Sequence, residues 1–221
     1  SAAHSAAVAR ATSYFSATSA FNDITGGIAY YQFLEDLARN FEDRKTVLMQ
    51  KLKETAGRLF TADNMTVSYT ADDEGFRYLA PAMKLLKEKL PETGGPSYPF
   101  IWEKGNRNEG FMTSSQVNYV ARCGSFAESG YAYTGALRVL KPILGYDYLW
   151  LNVRVKGGAY GVMNSAGRSG EGYFVSYRDP NLKETDQVFE GVADYLEQFD
   201  ADERDMTKYV IGTISDMDTP L

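Results

Sequence analysis

The chain has 221 residues with 23 Lys plus Arg against 29 Asp plus Glu, a net charge of −6, one Cys, one His and two Trp. At roughly 150 residues per domain this is one to two domains with room for a sizeable core, and 44% hydrophobic with 24% charged residues is a globular balance. The acidic balance argues against nucleic-acid and anionic-membrane partners, the single Cys123 excludes an internal disulfide, and the single His4 excludes HExxH or HxxEH metal centres within this chain.

The first third reads as helices. Val8, Ala11, Thr12 and Phe15 form one stripe in an Ala-rich segment. Ile28, Tyr31, Phe33, Leu34, Leu37 and Phe41 form a second, entered through Gly26-Gly27, and Val47, Leu48, Leu52, Ala56 and Leu59 a third. Met65–Thr70 alternates as a strand does and is closed by Asp72-Asp73-Glu74-Gly75. Leu79, Met83, Leu86 and Leu90 mark a further helix over 76–90, after which Pro91-Glu92-Thr93-Gly94-Gly95-Pro96 breaks all periodicity.

Beyond that break the pattern predicts strands at 116–123, 148–155 and 172–177, with a helix around 133–144. Asp179-Pro180 reads as a helix start, followed by a face of Val188, Val192, Leu196 and Phe199. Asp200 with Glu203 reads as the cap of a last helix striped by Met206, Tyr209, Val210, Thr213 and Met217. The expectation is an α+β fold, an antiparallel sheet with helices packed on one face. Its parts are residues 1–90 (helices, one strand and a following helix), a linker over 91–99, and a second piece over 100–221. A first residue of Ser and a last stretch Asp218-Thr219-Pro220-Leu221 predict a piece of something longer.

The segment Trp150–Gly161 is richest in chemistry. Read as a strand, Leu151, Val153 and Val155 share one face, and Trp150, Asn152 and Arg154 the other. Gly157-Gly158 then permits a bulge that re-aims Tyr160. A guanidinium donates to a peptide carbonyl and a phenol to a developing oxyanion, so Arg154 and Tyr160 beside a flexible glycine pair suit substrate contact. Pattern alone leaves open the plainer reading of a solvent-facing arginine and a core tyrosine flanking a turn. The glycines from Gly157 to Gly172 lack GxxxxGK[ST] and read as a hairpin. Lys156 and Arg168 read as solvated cations, His4 and Cys123 as structural, and Asp72-Asp73-Glu74 as a weak cation signal; Arg178 beside Asp179 is placed to pair with substrate, with turn and cap chemistry as the plainer role.

Val153–Gly161 (VRVKGGAYG) resembles a C-terminal-half signature of the presequence protease branch of the pitrilysin/insulinase metallopeptidases. Phe174–Leu182, Thr207–Asp218, Gly26–Leu37 and Met65–Phe76 resemble the same branch, so the likeness touches most of the chain in order. It implies processing-peptidase-like domain pieces of a clamshell whose two halves close around an unfolded peptide, with zinc held by HxxEH and a distant Glu in the other half. It also implies that this chain holds the later helices and last strand of the third domain, then the first part of the fourth. The two pieces would combine into one pseudo-domain if Met65–Thr70 paired into the sheet of residues 100–178.

By motif position the family's Arg/Tyr pair falls on Arg154 and Tyr160, the expected catalytic contacts to substrate carbonyl and oxyanion. Gly157, Gly158 and Asn152 are the expected substrate-binding neighbours, with no metal ligand or cofactor in this chain and zinc in the full-length parent. The implied function is a C-terminal fragment of an oligopeptide-degrading metalloendopeptidase, inactive alone; the alternative is a non-catalytic scaffold or peptide-binding module of the same superfamily. Expected partners are unstructured peptides and the missing N-terminal half, and the expected compartment is a bacterial cytoplasm, with an organelle matrix as the alternative.

Overall fold

A computed structural model describes residues 3–218. The chain resolves into two compact units, one formed by the residues up to Gln32 together with those from Trp102 onward, the other by Phe33–Ile101. Among the described residues no helix is long and apolar enough to cross a membrane.

The first unit opens with α1 (Ala3–Thr12) and α2 (Ala17–Gly26), the latter capped by Ser16, whose hydroxyl accepts from the Ser19 N–H. Arg10 ties these helices to the segment that re-enters the unit. Its guanidinium donates to Asp23 at 2.5 Å and through two nitrogens to Glu109 at 2.8 and 2.9 Å, while the Tyr14 hydroxyl donates to Glu109 at 2.7 Å. The Arg10 hydrogen bonds pull the Glu109 carboxyl down to about 2 against the opposing effect of its partial burial, with Tyr14 adding to the pull.

Three antiparallel strands follow: β1 (Ala121–Ser125), β2 (Gly161–Ala166) and β3 (Glu171–Tyr177), with β3 in the centre. Arg122 and Asn164 both stand opposite Phe174, which fixes the register, and an isolated bridge between Asn118 and Asp179 extends the β1 side. The expected hairpin is β2–β3. Its turn needs glycine at Gly170, where φ is +98° and a Cβ would run into Ala127.

The α+β class and the antiparallel sheet are as expected, and the helical cover reaches both faces. The odd-numbered face of β3 meets α1, through His4 edge-on to Tyr177 at 5.1 Å and Cys123 against Val8. The even-numbered face carries Phe174, stacked at 5.7 Å on Phe189 of α7 (Lys183–Glu190). Here lies the core: Val120, Leu144, Leu149, Val153, Ala159, Phe189 and Val192.

Two of those core residues overturn an expectation. The segment 148–155 is not a strand: α6 (Ala136–Pro142) runs directly into a π-helix over Ile143–Lys156. Pro142 sits at the junction with φ −66°, where its missing N–H leaves a gap in the α-helical hydrogen-bond ladder as the winding changes. Because an i→i+5 winding takes more residues per turn than an α-helix, Leu144, Leu149 and Val153, spaced five and four apart, share the inward face. Leu149 is 0% exposed and Val153 1%, each worth about 1.5–3 kcal/mol of burial. The strand-like alternation continues through Leu151 and Val155, but these two point outward and are exposed.

After α7, Gly191 separates it from α8 (Val192–Glu197), where one longer helix was expected. The last helix, α9 (Glu203–Met217), is capped by Asp202, which accepts from the Asp205 N–H at 2.8 Å, rather than by Asp200.

The second unit completes α3 (Ile28–Arg39) and holds α4 (Phe41–Leu59) and α5 (Asp73–Lys89). Asp72 is the α5 cap, accepting from the Gly75 N–H at 2.9 Å, which gives the acidic turn a structural role. Met65–Thr70 forms no strand and carries no ladder among the described residues; the sheet is β1-β3-β2 alone. Instead the Tyr69 hydroxyl donates to the Asp72 carbonyl and its ring packs on Phe76 at 5.7 Å, so the segment folds onto the start of α5. The 91–99 segment lies against the end of α4: Ala62 and Asp63 N–H groups donate to the Pro91 and Glu92 carbonyls, and Arg58 lies over the Tyr98 ring.

Candidate functional site

The end of the π-helix and the start of β2 are joined by Gly157-Gly158-Ala159. A Cβ at Gly157 would stand 2.6 Å from the Val153 carbonyl oxygen, and Gly158 has φ +79°, so each glycine answers a different need. The Gly158 N–H donates to the Arg154 carbonyl and the Ala159 N–H to that of Val153, closing the helix while Ala159 enters the core. Tyr160 is then fixed by its own N–H, which is shared between the Tyr177 and Arg178 carbonyls at 3.1 and 3.3 Å.

This turn brings Arg154 and Tyr160 together. The Arg154 guanidinium lies 5.4 Å from the Tyr160 ring centroid and 4.6 Å from that of Trp150, and donates to the Ala159 carbonyl at 3.4 Å. Tyr160 is 64% exposed, its ring edge-on to Tyr177 at 5.6 Å. Both groups line one open depression of about 580 Å³ with Trp150, Val155, Gly158, Ala159 and Arg178. The side-by-side presentation expected from the sequence is present, but its geometry is a helix end meeting a strand start, not alternate positions on a strand. The core-tyrosine reading fails on exposure.

Of the expected neighbours, Gly158 lines the depression. Gly157 does not; its carbonyl accepts from the Asn181 side chain at 2.6 Å, which braces the turn. Asn152 does not either: it donates to the Tyr148 carbonyl one helical step back and accepts from Lys156. Two further residues line the depression. Trp150, which the strand reading already put on the face of Arg154, stands four residues before it, and helical winding makes the two direct neighbours. Arg178 follows β3 and reaches over the Tyr160 and Tyr177 rings at 5.9 and 5.6 Å. Next to it Asp179 has the expected turn role, accepting from the Asn181 N–H and the Thr185 hydroxyl while fully buried.

The other titratable groups do not form a comparable centre. Burial pushes the Cys123 thiol up to about 12, so it is a packing residue and a poor nucleophile. A second depression near α9 gathers Asp147, Asp200 and Asp205 with Lys208; partial burial, then the Asp205 charge, raises the Asp147 carboxyl, which accepts from the Tyr209 hydroxyl. Among the described residues no three His, Cys, Asp or Glu side chains are gathered as metal ligands.

Residues 108–221, just over half of the chain, match the family model described as the PreP C-terminal domain. The chain is similar to Protein HypA of Clostridium perfringens (strain 13 / Type A), 40% identical over 218 residues, covering 99% of this chain and 22% of that protein. It is also similar to Presequence protease 1, chloroplastic/mitochondrial, of Arabidopsis thaliana, 31% identical over 220 residues (98% and 20% covered). The mitochondrial presequence protease of Yarrowia lipolytica is 29% identical over 231 residues (99% and 22%). The chain thus spans about a fifth of the length of these relatives. With a family model matched from residue 108 onward and presequence proteases aligned along nearly the whole chain, the protein belongs to the PreP C-terminal domain family and is a presequence-protease-like C-terminal region.

Proposed function

We propose that this chain is part of a zinc-dependent metalloendopeptidase of the pitrilysin/insulinase type that degrades oligopeptides, and that it supplies contacts to the substrate and not the metal. The observation that carries this reading is the convergence of Arg154 and Tyr160, from the two sides of one glycine turn, in one open depression. The guanidinium stacked on Trp150 keeps its N–H edge for a peptide carbonyl. The Tyr160 hydroxyl donates to the oxygen on which negative charge develops during attack at the carbonyl carbon. The metal ligands would lie in the remainder of the parent, where zinc would supply Lewis-acid activation of the attacking water.

An extended, unstructured peptide is the substrate class suited to backbone-directed donors, because its carbonyls are not already engaged in secondary structure. The closed chamber and the metal-bearing half belong to the remainder of the parent, so the chain alone is expected to be inactive. The identity to the clostridial protein, higher than to the organellar ones, favours a bacterial over an organellar setting.

The test is turnover of an internally quenched peptide by the full-length protein. Arg154→Ala and Tyr160→Phe are each expected to lower kcat by about 10²- to 10³-fold, the loss typical of one transition-state donor. Normal turnover in both variants would overturn the assignment and favour the scaffold or peptide-binding reading.

A further inference from the structure

We propose that Arg178 makes this depression a carboxylate-binding subsite, so that the peptide lying across Arg154 and Tyr160 is held by an acidic side chain or by its own C-terminal carboxylate. The proposal rests on the peptide-binding reading above and adds the substrate class that this site prefers.

Two guanidinium groups converge on one phenol ring, Arg154 at 5.4 Å and Arg178 at 5.9 Å from the Tyr160 centroid. Like charges gathered this way repel, and proteins ordinarily relieve such a pair with a carboxylate. In the same unit Arg10 has Asp23 and Glu109, and Arg122 has Asp186 and Glu190. Among the described residues neither Arg154 nor Arg178 has an acidic group within ion-pair distance, although the whole chain carries an excess of acid over base. The aromatic rings pack against the guanidinium carbons; Arg154 gives one N–H to the Ala159 carbonyl, and a guanidinium fork takes a carboxylate through two parallel hydrogen bonds.

The backbone supplies a second, independent observation. Arg178 is the one non-glycine residue with positive φ among the described residues, at +48°. An arginine gains nothing from that conformation by itself, and it persists because both neighbours are pinned. On one side the Tyr177 carbonyl accepts from Tyr160. On the other, Asp179 exchanges backbone hydrogen bonds with Asn118 at 2.7 and 2.9 Å and its side chain is held by Thr185. The turn residue is therefore aimed back over Tyr160, where an ordinary turn would use Asn or Gly.

The experiment measures binding to the full-length protein by fluorescence anisotropy of three dye-labelled peptides. They are a neutral peptide amide, the same sequence as the free acid, and the amide with one Gln replaced by Glu. Wild type is expected to bind at least one carboxylate form more tightly than the neutral amide, with the advantage shrinking as salt rises. Arg178→Gln is expected to remove about tenfold of that advantage, and Arg178→Lys to restore only part of it, because an ammonium lacks the fork. Arg178→Gly relaxes the left-handed backbone while deleting the guanidinium and should behave as Arg178→Gln does, which separates charge loss from misfolding.

An advantage for the free acid alone assigns the peptide terminus as the carboxylate source, and one for the Glu peptide alone assigns the side chain. An unchanged advantage in both Arg178→Gln and Arg178→Gly, or no advantage in wild type, would overturn the subsite. Normal turnover in Arg154→Ala and Tyr160→Phe would remove the catalytic reading while leaving this binding result standing, so the two failures are distinguishable.

Discussion

The two units bury their apolar stripes to very different extents. Around β3 and the π-helix, Leu149, Val153 and Val175 are all but inaccessible, and every sheet face has a helix against it. In the Phe33–Ile101 unit, α4 and α5 bury no residue at all, and the amphipathic stripe of α4 leaves Val47, Leu52 and Leu59 more than half exposed. Both regions carry apolar stripes in their sequence. Amphipathicity therefore tells which face of a helix is to be covered, and only the neighbours present in the chain decide whether it is.

The largest expected effect separates the two regions directly. Leu149→Ala should destabilise by about 3 kcal/mol in chemical denaturation, because the cavity is closed on every side. Leu52→Ala, at 61% exposure, should change stability by less than about 0.5 kcal/mol. Equal losses would erase the contrast.

Acid titration sharpens it further. Glu109 titrates at about 2 in the folded state against an ordinary value of 4.5. Its folded pKa is depressed, so the stabilisation is fully present above about pH 4.5 and is lost as pH falls toward 2. With partial solvent screening the loss should be about 1–2 kcal/mol, and Glu109→Gln should flatten it. In the other unit Glu54, paired with Lys51 on the exposed face of α4, should leave the acid midpoint unmoved when changed to Gln. The smallest effects come from two glycines of the second unit. A Cβ at Gly94 would run into the Arg58 carbonyl, so Gly94→Ala should destabilise by about 1 kcal/mol. Gly57, inside α4 with nothing near its would-be Cβ, should stabilise by about 0.5–1 kcal/mol as Gly57→Ala.

Much of the fold was legible where one local rule acts alone. The 3.6-residue stripes placed α1, α3, α4 and α5, and the glycine-punctuated segment 157–172 gave the β2–β3 hairpin. Two alternating runs misled for different reasons. Met65–Thr70 alternates correctly, but a strand needs a partner, and among the described residues this segment pairs with none. At 148–155 the alternation of Leu149, Leu151, Val153 and Val155 is coincidental, since only the first and third are buried. The helical signal was the polar series Tyr148, Asn152, Lys156 at steps of four, which the structure joins by side-chain hydrogen bonds. The pairing of Arg154 with Tyr160 was legible through the family resemblance and the glycines between them. For Arg178 a substrate contact was readable only as the lesser alternative to a turn role, because its approach to Tyr160 depends on a left-handed backbone set by contacts on both sides, which no local pattern encodes.

The central claim is that Arg154 and Tyr160 act on one bound peptide as a unit. A double-mutant cycle in the full-length protein, comparing kcat for Arg154→Ala, Tyr160→Phe and the combined variant, tests it most directly. Two donors serving one transition state predict that the combined variant loses no more than about tenfold beyond the worse single change. Losses that multiply in full, or three variants that turn over peptide as the wild type does, would contradict it.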